Sequence, residues 1–132
     1  MKIKLSNGVE LNPIIVMGEK RYVHGANRDA LSFIFHAETS LDELDALFTV
    51  ANCEKIVITD DNGEDYIHNA YTVRAELKRS PMEVAPATES EDAVFENRVF
   101  VTMAQRTYQE SQMAAIEEAL NLILSGDTGE EV

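Results

Sequence analysis

Residues 56–79 read IVITDDNGEDYIHNAYTVRAELKR, two alternating runs that meet at Asp61-Asn62-Gly63-Glu64. Asn-Gly tolerates positive φ at both central positions of a type I′ turn, whose twist matches that of the strands it joins. The expectation is therefore a β-hairpin with one long arm, unbroken through Lys78. Asp61 pairs with Glu64, Ile58 lies opposite Ile67 and Val57 opposite His68. In this register Ile56, Ile58, Ile67, Tyr71, Val73, Ala75 and Leu77 share a core face, and Arg74, Glu76 and Lys78 take the other. A slip of one residue would turn the apolar set to solvent.

Upstream, Ile3 and Leu5 precede Ser6-Asn7-Gly8, and Val9 and Leu11 follow. A two-residue turn would put these pairs on opposite faces. A three-residue loop pairs Leu5 with Val9 and Ile3 with Leu11, and places Gly8 at the left-handed position of a G1 bulge. Pro13 marks a strand start or edge, and residues 14–17 form a short apolar run punctuated by Gly18 and Gly25. Residues 30–37 alternate Leu31, Phe33, Phe35 and Ala37 against Ser32, Ile34 and His36, which predicts a strand. Ser40-Leu41-Asp42-Glu43 is a capping box, and Leu41, Leu44, Leu47, Phe48 and Ala51 form the stripe of a helix over about 40–51. Cys53, the single cysteine, is expected to be a small buried hydrophobe and rules out an internal disulfide.

Downstream, residues 85–92 predict a solvated acidic loop. Residues 93–107 predict a strand with Phe95, Val99, Val101 and Met103 on one face, antiparallel to the long arm. Thr107-Tyr108-Gln109-Glu110 is a second capping box opening a helix over about 108–125, with Gly126 at its end. Met113, Ile116, Leu120, Ile123 and Leu124 share its apolar arc. This helix either packs on the body or reaches a neighbouring subunit. Residues 126–132 are expected to be an acidic, disordered tail. The fold class expected is α+β: one domain over 1–125 with a mostly antiparallel sheet, either a β-barrel or a β-sandwich, one flanking helix and a C-terminal helix.

At 132 residues and 45% hydrophobic content the chain can bury roughly two-thirds of its extended surface. The net charge of −13 argues against nucleic acid and anionic membrane as partners. Charge is also uneven, net +2 up to His36 and −15 from Ala37 onward. Such asymmetry reads either as an acidic solvated surface or as head-to-tail contact between copies. No signal peptide or membrane span is evident, so cytoplasmic synthesis is expected.

The acidic tip at residues 60–65 fails as an EF-hand loop, because a glycine at position six would make Ile58 the first ligand. His24, His36 and His68 fit no zinc spacing, and no nucleophile elbow, phosphate loop or dinucleotide fingerprint occurs. His68 is placed with Val57 and Thr59 on the less apolar hairpin face. No catalytic, cofactor-binding or metal residue is expected, and the chain is read as a non-enzyme. Arg106, Tyr108 and Gln112, with Gln105, form a polar cluster at the junction of the last strand and last helix. They are either capping residues or a subunit contact.

Three stretches carry a resemblance: Met1-Lys2-Ile3-Lys4-Leu5-Ser6-Asn7-Gly8, Gly25-Ala26-Asn27-Arg28 with Leu31-Ser32-Phe33, and residues 99–112, VFVTMAQRTYQESQ. Together they resemble small, uncharacterised prophage-encoded proteins of Gram-positive bacteria found among tail and baseplate genes. The resemblance implies a phage structural or assembly protein that is virion-associated. Its partners would be other tail proteins and copies of itself. The alternative reading is a small monomeric module holding a ligand or peptide in a barrel mouth.

Overall fold

A computed structural model describes residues 1–124. Its strands are β1 (Lys2–Lys4), β2 (Glu10–Leu11), β3 (Ile15–Val23), β4 (Ala26–His36), β5 (Lys55–Thr59), β6 (Asp65–Asn69), β7 (Val73–Ala85) and β8 (Val94–Ala104). The helices are α1 (Leu41–Leu47) and α2 (Tyr108–Leu124). The fold is α+β with two antiparallel four-stranded sheets, ordered β2-β1-β5-β6 and β3-β4-β8-β7. The sheets are not closed into a barrel. The expected tail at 126–132 lies outside the described residues.

Both sheets and α1 feed one core. Ile3, Ile56 and Ile58 come from the first sheet, with Leu5 directly after β1. Leu31, Phe33, Phe35, Val99, Val101 and Met103 come from the second, with Leu44, Phe48, Cys53 and Tyr71 between them. The helix α1 is shorter than the expected 40–51. Ser40 caps it, its Oγ accepting from the Glu43 amide at 3.3 Å, and Phe48 already leaves helical geometry as the C-cap. Cys53 is fully buried, and that burial pushes its thiol up to about 12.

The first hairpin is as expected, with Ile3 opposite Leu11 and Gly8 at φ +87°. The second hairpin is not. It closes through the same three-residue loop, the Asp60 amide donating to Glu64 at 3.0 Å and the Gly63 amide to Asp60 at 3.0 Å. The Asp60 carboxylate decides the matter by accepting from the Asn62 and Glu64 amides at 2.9 and 3.0 Å, a side-chain-supported turn that a type I′ loop would forgo. The register consequently moves by one residue, to Ile58 opposite Tyr66, Val57 opposite Ile67 and Ile56 opposite His68. Ile67 thereby leaves the core face and stands 58% exposed.

The long arm is also two strands in two sheets. Ala70 adopts φ +64°, its amide donating to Glu54 at 2.8 Å and its carbonyl accepting from the Arg106 amide at 2.7 Å. Through Tyr71 and Thr72 the chain then crosses to the second sheet. There β7 pairs antiparallel with β8, as expected, but with a register shift between Arg74 and Glu76. That bulge turns Arg74 to the core side, away from Glu76 and Lys78. Its guanidinium bonds Asp45 Oδ1 at 3.0 Å and the Phe48 carbonyl at 2.9 Å, satisfying acceptors at the end of α1. The two-residue turn with positive φ at both positions occurs elsewhere, at His24 (φ +48°) and Gly25 (φ +80°) between β3 and β4.

Gly63 stands at φ +83° with open space where a Cβ would be. Any penalty for a side chain there is therefore backbone strain alone. Gly63→Val is expected to cost about 1–3 kcal/mol; a thermal melt with an unchanged midpoint would contradict the left-handed position.

Candidate functional site

At the junction between β8 and α2 the backbone is tied down before the helix begins. The Gln105 amide donates to Asp29 at 2.7 Å, and the Gln105 side-chain amide to the Asn69 carbonyl at 3.2 Å. Arg106 bonds Glu54 with two nitrogens, at 3.2 and 3.1 Å, and Ser111 Oγ at 2.9 Å. Thr107 and Glu110 form the full reciprocal capping box, at 2.9 and 3.1 Å. Beneath them lies Arg28, 3% exposed. Its guanidinium donates to both Glu110 oxygens and to the carbonyls of Val23, His24 and Gln105. The Arg28 charge and the Thr107 amide hold the Glu110 carboxyl down at about 2.

Of the residues singled out in the sequence, Arg106 is therefore turned inward onto its own chain. Tyr108 is 78% exposed and Gln112 is exposed on the helix surface. The sequence reading missed Arg28, which sits in an ordinary strand position, although the Thr107-x-x-Glu110 box pointed to its partner.

Beyond its first turn α2 is exposed: none of its seventeen residues is buried, and residues 112–124 all stand in the exposed class. Met113, Ile116, Leu120 and Ile123 follow one another at spacings of three, four and three, forming one stripe. All four are more than half exposed. A helix of this length is marginal in water without a packed face, which makes the exposed apolar stripe the candidate contact surface of the described residues. At 1.5 Å per residue it spans about 25 Å.

The remaining candidates are weaker. A surface hollow of about 420 Å³ is lined by Gly18, Lys20, Asp29, Leu31, His68 and Tyr71. The register shift turns His68 inward rather than toward Val57 and Thr59. It packs edge-on to Tyr71 at 5.7 Å, with Nδ1 enclosed and without a hydrogen-bond partner. The acidic hairpin tip is engaged with the chain's own start, Asp61 accepting from the Met1 ammonium at 2.8 Å. Among the described residues no three His, Cys, Asp or Glu side chains are grouped to hold a metal ion. No helix among them is long and apolar enough to cross a membrane.

Comparison with known families, curated proteins and solved structures found no match to this chain.

Proposed function

We propose that this chain is a non-enzymatic assembly protein that works by protein–protein contact, with α2 as the docking element. The observation that carries the reading is a seventeen-residue helix with an apolar stripe and no buried residue, anchored at one end by Arg28 and Arg106. A helix that served only to complete the fold would bury that stripe. Here its base is fixed and its apolar length is presented to solvent. The resemblance of residues 99–112 to prophage-encoded proteins supplies the context, a tail- or baseplate-associated structural component.

Light scattering behind size exclusion, over a tenfold concentration range, tests the reading. The wild-type mass is expected to rise above 14.7 kDa, and Ile116→Asp/Leu120→Asp to remain at the monomer mass. Both residues are exposed, so the melting midpoint of the body should move little. An unaltered association in the double variant would count against α2 as the docking element.

A further inference from the structure

The outer face of the first sheet carries a surface that complements α2. Pairing sets Glu10 beside Lys4, Lys4 beside Val57, and Val57 beside Ile67, one row across all four strands. Their neighbours Ile3, Leu5, Ile56 and Ile58 are buried, so alternation turns this row to solvent. The exposed Ile67 side chain and half-buried Val57 form its apolar centre. Next to them lies a hollow of about 210 Å³ bounded by Lys4, Leu5, Ser6, Gly8, Lys55 and Val57.

Charge distinguishes this face from the rest of the protein. The other cations are engaged: Lys2 with Glu10, Lys20 with Asp29, Arg21 with Glu19 and Glu76, and Arg28 with Glu110. Likewise Arg74 meets Asp45, Lys78 meets Glu76, Arg98 meets Glu96 and Arg106 meets Glu54. Arg79 bonds the carbonyls of Ala37 and Thr39. Among the described residues, that leaves Lys4 and Lys55 without a carboxylate or hydrogen-bond partner for their ammonium groups, in a chain of net charge −13. Both rim the same hollow. Conversely, past Arg106 the sequence has six acidic residues and no basic one. On the wheel of α2, Glu117 borders the stripe of Met113, Ile116 and Leu120.

We infer that α2 of one copy docks on the outer face of the β2-β1-β5-β6 sheet of the next. The stripe covers Val57 and Ile67, an aliphatic side chain enters the hollow, and Glu117 meets Lys4 and Lys55. This rests on α2 being the docking element and assigns its occupant: a second copy of this chain. The two patches differ, so the contact is heterologous and repeats head to tail, giving a ring or a filament rather than a closed pair. Pairing α2 with α2 would instead bring together two helices with no cation and leave both lysines uncompensated.

Charge reversal followed by sedimentation velocity tests this. Lys4→Glu/Lys55→Glu and Glu117→Lys/Glu118→Lys are each expected to weaken self-association at least tenfold. An equal mixture should restore assembly, because contacts that alternate between the two variants join opposite charges. Ile67→Asp, at an exposed edge position, should weaken it independently of the lysines. Melting midpoints confirm that each variant is folded. If Ile116→Asp/Leu120→Asp is monomeric while the Lys4/Lys55 and Ile67 variants associate as wild type, α2 docks on another surface. The inference then falls and the docking helix stands. A wild-type mass of 14.7 kDa throughout overturns docking between copies altogether.

Discussion

Phe48→Ala is expected to destabilise the fold by about 3–5 kcal/mol, the range for removing a fully buried phenylalanine. For a chain of this size that corresponds to a fall of roughly 10–20 °C in the melting midpoint. Phe48 is 1% exposed and closes the C-terminal end of α1. Its ring packs against Phe33 at 5.5 Å and edge-on against Phe35 at 6.5 Å, both on β4. The side chain is thus the joint between α1 and the second sheet. Leu44, one turn earlier, is the other buried residue of that contact, and α1 is too short to compensate by sliding. The substitution leaves the Phe48 carbonyl in place for Arg74, so the loss reports packing rather than the cap. Thermal unfolding followed by circular dichroism measures it, and a change below about 1 kcal/mol would remove Phe48 from the core.

The same core shows what could be read from the sequence and what could not. Period-2 alternation located β4, β5 and β8, and Ser40 and Thr107 marked both helix starts, because these signals are local. The loop at Ser6-Asn7-Gly8 was legible because only one loop length kept Ile3 and Leu11 on one face. At Asn62-Gly63 the same constraint points to the wrong loop, because it groups Ile67 with Tyr71 and Leu77 on one arm, whereas β6 and β7 lie in different sheets. The Asp60 side chain chose the longer loop, and one residue of slip sent Ile67 outward and His68 inward. The crossing at Ala70 was invisible, since a left-handed alanine held by Glu54 and Arg106 carries no local mark. The bulge at Ala75 likewise depends on β8, not on residues near it.

For the candidate site the division is similar. The apolar stripe of α2 is a property of spacing and could be read directly. Whether it meets the body depends on where β8 delivers the helix, which no periodicity encodes. That Lys4 and Lys55 have no partner among the described residues emerges only after every other cation has found its own. Arg106 reads from the sequence as either a capping residue or a subunit contact; in the fold its guanidinium bonds Glu54 and Ser111 of its own chain.

Arg28→Met is expected to be nearly as costly as the loss of Phe48, at about 3–5 kcal/mol. The variant keeps most of the apolar stem but strands the carbonyls of Val23, His24 and Gln105, and leaves Glu110 without its cation. Glu110→Gln is expected to cost less, on the order of 2 kcal/mol, because the carboxylate is 41% exposed and partly screened while Arg28 keeps its carbonyl partners. The pair also sets an acid dependence. The folded state holds Glu110 at about 2 against an ordinary 4.5, so its contribution is complete above about pH 4.5 and is lost as pH falls toward 2. Wild-type stability should therefore decline through that window more steeply than that of Glu110→Gln, and the two should converge near pH 2. Urea unfolding at pH 7, 4, 3 and 2 tests the sign. Parallel curves would show that Glu110 is not anchored to Arg28. Because the pair fixes the base of α2, the protection factors of the amides of residues 110–112, taken relative to intrinsic exchange at each pH, should fall over the same interval, while the Phe33 and Phe48 core stays protected.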